Sequence, residues 1–124
     1  MDKTKKTILV IDDDVLNLKL MRGVFGHGKY NIIEADNAEL GIRMAKEHHP
    51  DLILMDIQLP GMDGIQATKR IRADAEISSL QVIALSSYAM AEDMEAAMTA
   101  GCNGYISKPI DTRNFMMSVK KCLA

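Results

Sequence analysis

The sequence predicts an α/β domain, a doubly wound sheet of five parallel strands in the order 2-1-3-4-5 with helices on both faces. Three observations carry this reading. Five short apolar runs, opening at Thr7, Tyr30, Leu52, Val82 and Gly104, alternate with stretches of helical spacing. The strongest runs are apolar without alternation, as in strands covered on both faces. The connections are short, and right-handed crossovers limit such a series to a doubly wound open sheet.

Taken in order, Thr7-Ile8-Leu9-Val10-Ile11 is β-branched and apolar and reads as the central first strand. It ends in Asp12-Asp13-Asp14. Asp14 is a good N-cap for a helix over 15–26 that carries Val15, Leu18, Met21, Val24 and Phe25 at helical spacing, and Gly26 and Gly28 stop it. Residues 30–35 form a weaker strand, Asn37 caps a helix running to about His48, and Pro50 bars its continuation. Leu52-Ile53-Leu54-Met55 is the third strand and closes on Asp56. Beyond the Pro60-Gly61 turn, Ile65, Thr68 and Ile71 mark a helix that ends in a polar loop over 73–79. Val82-Ile83-Ala84-Leu85 is the fourth strand, closing on Ser86-Ser87. Residues 89–100 are strong helix formers stopped by Gly101. Gly104-Tyr105-Ile106-Ser107 is the last strand, closing on Lys108-Pro109. Asp111 caps a final helix with Phe115, Met116, Val119 and Leu123 inward. The five units fill 1–124 as a single domain, with 1–6 a flexible N-terminus and no output domain expected.

Composition narrows the function. A chain of 124 residues can bury a sufficient core without disulfides or a structural metal. A net charge of −2 lacks the basic excess of direct nucleic-acid binding. Cys102 and Cys122 stand twenty positions apart with no CxxC pair, the pattern of plain thiols in a reducing compartment. His48 and His49 are adjacent on a helix and, with His27, are expected to face solvent rather than act as ligands. The apolar run after the charged N-terminus is too short for a signal segment or a membrane span, so a cytoplasmic protein without membrane insertion is expected.

In a 2-1-3-4-5 sheet, strands one and three are neighbours at the switch point, and ligands bind outside the carboxyl ends of the strands. Asp12 and Asp13 then meet Asp56, Ser86 is added by strand four and Lys108 by strand five. Three carboxylates so close repel, and without a cation at least one should have a raised pKa. Mg²⁺ is the natural resolution, since it keeps waters and takes one or two carboxylates plus phosphate oxygens. Lys108 beside such a site is a point charge for a phosphoryl oxygen.

These residues resemble the receiver domain of bacterial two-component response regulators, with a flavodoxin-like fold. The matching features are Asp12-Asp13, the run from Asp51 through Asp56 to Gln58-Leu59-Pro60-Gly61-Met62-Asp63-Gly64, Ser86, Tyr105 and Lys108-Pro109. The chain is most similar to stand-alone receivers, such as those of cell-cycle control, and to receivers attached to hybrid kinases; Asn17 and Leu18-Lys19-Leu20-Met21 match that style. The resemblance implies that Asp56 takes a phosphoryl group from the phosphohistidine of a histidine kinase or histidine phosphotransfer protein. It further implies that Asp13, Asp56 and the backbone carbonyl of Gln58 hold Mg²⁺, with Asp12 reaching it through water, and that the Lys108-Pro109 bond is cis. Ser86 would sense the phosphoryl group and Tyr105 turn inward, altering a face formed by helix four, strand five and helix five for a downstream protein target. Ser86 stands where Thr is commoner, Ser87 where a small apolar residue is usual and Asp14 where a neutral residue is frequent.

An aspartyl-phosphate phosphatase similar to haloacid dehalogenases is the alternative from another class. It uses a second Asp as general acid two residues after the nucleophile, and here that position is Gln58. An interaction domain that has lost phosphorylation would normally lack an acid or the lysine, and a GTPase would need the absent GxxxxGK[ST]. On helix four, Met90, Met94 and Met98 are expected to lie away from a sheet-facing stripe of Ala89, Ala96 and Ala100, leaving Met94 and Met98 exposed as a docking face with Tyr105. The ring of Tyr88 and the side chain of Gln58 are expected to border the approach of hydrolytic water to Asp56.

Overall fold

The computed structural model describes residues 3–26, 28–87 and 91–123; expectations placed on His27, Tyr88, Ala89 and Met90 lie outside the described residues. The elements are β1 (Lys6–Ile11), α1 (Val15–Phe25), β2 (Tyr30–Ala35), α2 (Ala38–His48), β3 (Leu52–Asp56), α3 (Gly64–Ala73), β4 (Val82–Ser86), α4 (Ala91–Ala100), β5 (Gly104–Ser107) and α5 (Thr112–Leu123). The strands pair in parallel in the order β2-β1-β3-β4-β5. No helix among the described residues is long and apolar enough to cross a membrane.

Because successive strand residues point to opposite faces, the unbroken apolar runs supply two cores. Leu9, Ile11, Ile53 and Met55 face one side with Ala38 and Ala45 of α2, Ala67 and Ile71 of α3 and Ala97 of α4. Ile8, Val10, Leu52 and Leu54 face the other, with Leu18, Met21 and Phe25 of α1 and Phe115 and Val119 of α5. There the ring of Phe25 lies 5.5 Å from that of Phe115 and meets Tyr30 edge-on at 5.6 Å.

The helix ends follow the capping residues. The Asp14 carboxylate accepts from Leu16 N–H, Asn37 Oδ1 accepts from Leu40 N–H, and Asp63 and Gln66 form a reciprocal capping box on α3. Cys102 is buried and Cys122 half-buried, neither is in a disulfide, and burial pushes both thiols up from their ordinary pKa. His48 and His49 are exposed, as expected.

Three packing expectations need correction. Val15 is 64% exposed, because the first turn of α1 rises beyond the sheet edge and leaves the inner row to Leu18, Met21 and Phe25. The loop after α3 is not wholly polar: Ile77 is fully buried against Ile71 and Val82 in the same core. On α4 the buried alanines are Ala97 and Ala100, with Ala96 exposed. Ala100 keeps its expected place, and the buried face is turned by about 50°, half of one residue step, from the expected setting.

Behind α4, at the edge of the sheet opposite Asp56, Arg72 gathers several loops. Its Nε donates to the Gly101 carbonyl at 2.9 Å, Nη1 to the carbonyls of Ser78 at 2.9 Å and Leu80 at 2.7 Å, and Nη2 to Asn103 Oδ1 at 2.9 Å. The same Asn103 oxygen accepts from Val82 N–H at 2.8 Å, which ties the cluster to the start of β4.

Candidate functional site

Parallel register brings the strand ends together. Ile11 pairs with Met55 and Asp56 with Leu85, so the residues that follow β1, close β3 and close β4 share one edge. Ser86 pairs with Ser107, and Lys108 N–H donates to the Ser86 carbonyl at 2.7 Å, which carries the edge on to Lys108. The Lys108-Pro109 bond is cis, as the resemblance implied.

Asp12 is fully buried and Asp56 is 3% exposed, whereas Asp13 is exposed. One carboxylate oxygen from each lies within 4.8 Å of the others. Asp12 Oδ1 accepts from Asp14 N–H at 2.9 Å, and its Oδ2 from Asn17 Nδ2 at 3.0 Å and Lys108 Nζ at 3.4 Å. Asp56 Oδ1 accepts from Gln58 N–H at 2.9 Å, and its Oδ2 from Lys108 Nζ at 3.1 Å. Burial is the main force raising the Asp12 pKa above the usual 3.8, and the Asp56 charge adds to it. The Asp14 N–H, the Lys108 ammonium and the Asn17 amide act in the opposite direction. The raised carboxyl expected of the cluster is thus Asp12, with burial rather than repulsion as the larger cause.

Lys108 is the one ammonium among the described residues that faces this cluster, and a single positive charge does not balance three carboxylates. The donor set is all hard oxygen, with one exposed member open to solvent. That suits a small divalent cation which retains part of its water.

Ser86 is fully buried between β3 and β5. The Gln58 side chain reaches across to it. Gln58 Nε2 donates to Ser86 Oγ at 2.7 Å, and Gln58 Oε1 accepts from Ser87 N–H at 3.2 Å. The backbone carbonyl of Gln58 and a side chain bordering the water path are what the sequence leads one to expect; residue spacing carries no mark of this bridge. Asn17 was noted without a role; its position in the first turn of α1 brings it back onto Asp12. Gly64, named above only as part of the matching run, has a role of its own: its N–H closes the post-strand loop on the Ile57 carbonyl at 3.0 Å.

Tyr105 is half-buried and packs with the core on the α4 side of the sheet. Met94 is 48% and Met98 45% exposed, as expected of both.

A family model described as the response regulator receiver domain matches residues 8–120. The polar-differentiation response regulator DivK of Brucella ovis is 40% identical over 118 residues, covering 95% of this chain and 96% of that protein. A CheY-like response regulator receiver domain protein from Methanospirillum hungatei superposes with a TM-score of 0.87 at 27% identity, covering 96% of this chain and 94% of that one. The receiver domain of a sensor histidine kinase from Pseudomonas aeruginosa superposes with a TM-score of 0.87 at 28% identity, covering 96% of this chain and 98% of that one. Its structure holds a magnesium ion coordinated in the active-site cleft.

Proposed function

The chain belongs to the response regulator receiver domain family, the phosphoacceptor module of two-component signalling, and on that premise we propose that Asp56 is its acceptor. The observation that carries this is the setting of Asp56. It closes the middle strand almost fully buried, with one oxygen held by Lys108 Nζ and the other by Gln58 N–H.

In the proposed reaction an Asp56 oxygen attacks the phosphorus of a phosphohistidine on a histidine kinase or histidine phosphotransfer protein. The phosphorus–nitrogen bond breaks, the imidazole leaves, and an acyl phosphate remains. Such a transfer requires chiefly alignment and neutralisation of charge. Lys108 supplies a positive charge next to the accepting carboxylate, and Gln58 N–H orients it. Asp12 and Asp13, with Asp56 and the Gln58 carbonyl, would hold Mg²⁺, in keeping with the oxygen-only donor set and the ion in the Pseudomonas relative. Bound there, Mg²⁺ supplies charge neutralisation for the phosphoryl oxygens.

Ser86 then donates its hydroxyl to the phosphoryl group, and Tyr105 turns toward the space vacated. The consequence is a changed surface over α4, β5 and α5, where Met94, Met98 and Tyr105 meet a downstream protein.

The test uses a small acyl-phosphate donor and intact-mass measurement. The wild type should gain one phosphoryl group with Mg²⁺ and none after chelation, and Asp56→Asn should gain none. Phosphorylation mapped to another residue, or independent of divalent metal, would overturn the assignment.

A further inference from the structure

Gln58 touches the site twice. Its main-chain N–H holds Asp56 Oδ1 at 2.9 Å, while its carboxamide grips the β4 end through Ser86 Oγ at 2.7 Å and Ser87 N–H at 3.2 Å. Both polar atoms of the side chain are therefore engaged, on consecutive residues of the segment that leads toward α4. Ser86 is fully buried, so bulk water does not compete for its oxygen.

We propose that Gln58 is a latch on the unphosphorylated state, and this rests on Asp56 being the acceptor. A serine hydroxyl has one proton and two lone pairs, and here a lone pair is committed to Gln58 Nε2. Two attachment points on neighbouring residues resist both movements open to Ser86. Rotation about its Cα–Cβ bond carries Oγ away from Nε2, and displacement of the 86–87 backbone toward Asp56 carries the Ser87 N–H away from Oε1. Either movement toward a phosphoryl group opens the bridge. The two bonds are lost only in the switched state, so they oppose switching and leave Asp56 in place. Gln58 is a positioning residue in this account, acting on the phosphoryl group through Ser86.

Gln58→Met keeps an unbranched side chain of similar length and removes both hydrogen bonds. Gln58→Asn keeps the carboxamide but is one methylene too short to span both partners. The backbone carbonyl survives in each. Association of beryllofluoride with Mg²⁺, a phosphoryl mimic, is measured by calorimetry, and Ser87 amide exchange by NMR without the mimic. The Met variant should bind beryllofluoride roughly tenfold more tightly, the scale of one or two net neutral hydrogen bonds, and its Ser87 amide should exchange faster. The Asn variant should shift in the same direction. A merely structural role for Gln58 would weaken binding in both. Unchanged or weaker binding in either folded variant overturns the latch. Failure of the wild type to bind beryllofluoride would instead overturn the acceptor reading, and the latch with it.

Discussion

Gly64 lies against the main chain of Asp56 with no room for a side chain between them. A Cβ on Gly64 would overlap the Asp56 carbonyl oxygen and stand 2.8 Å from Ile57 Cα. The contact is to backbone, which cannot swing aside as a flexible side chain can.

Gly64→Ala is therefore expected to destabilise the protein by about 1–3 kcal/mol, the usual range for overpacking. It should also slow phosphorylation at Asp56, since relief of the overlap moves the strand end that carries the carboxylate. Urea denaturation and the rate of phosphoryl uptake check the two effects separately, and a variant unchanged in both would show that the loop yields without moving Asp56.

The buried Asp12 makes stability depend on pH in the absence of divalent metal. Its pKa in the folded protein lies above 3.8, so the folded state holds this proton more tightly than the unfolded state does. The favourable contribution is full below the ordinary value and is lost as pH rises through the raised one. Asp12→Asn removes that dependence, and with chelator present its melting temperature should exceed that of the wild type by more at pH 7 than at pH 4. Mg²⁺ should stabilise the wild type more than the variant.

Met94→Asp is expected to leave stability within about 0.5 kcal/mol, because Met94 is about half exposed and an acid near a helix N-terminus is tolerated by the dipole. Phosphorylation of Asp56 should persist while binding to the downstream protein weakens. A large fall in the denaturation midpoint would place Met94 in the core and remove it from the docking face.

Arg72→Lys keeps the charge but not the planar fork that reaches four acceptors. At least one carbonyl of the Ser78 and Leu80 pair loses its partner, at an expected cost of about 1–3 kcal/mol in denaturant unfolding. A loss below about 0.5 kcal/mol would mean that water or backbone shifts replace the missing bonds.

The strand order and the meeting of Asp12, Asp13 and Asp56 were legible because they depend on which chain segments are apolar and on what ends each one. Those properties are local. Where the reading slipped, the deciding information was not local. Val15 fits the helical row of α1, yet the height of its turn above the sheet exposes it. Ile77 sits among polar residues, and only the closure of the loop over β4 makes it core. Ala96 and Ala97 are indistinguishable by type, so the rotation of α4 about its axis could not be read from composition. The Gln58 bridge depends on a rotamer and on a loop-to-loop distance, neither of which leaves a mark in residue spacing.

Arg72 also bears on how α4 can move. By holding the Gly101 carbonyl and the Asn103 side chain it fixes the C-terminal end of the helix. A rod anchored at one end pivots there, which puts the fulcrum of any tilt at Gly101. With 10 residues α4 is about 15 Å long, so a 1 Å push at Ala91 tilts it by roughly 4°. Displacement then grows with distance from the fulcrum, and Met94 travels roughly twice as far as Met98. Met94 is thus the site at which a spectroscopic label would report the tilt with the larger amplitude.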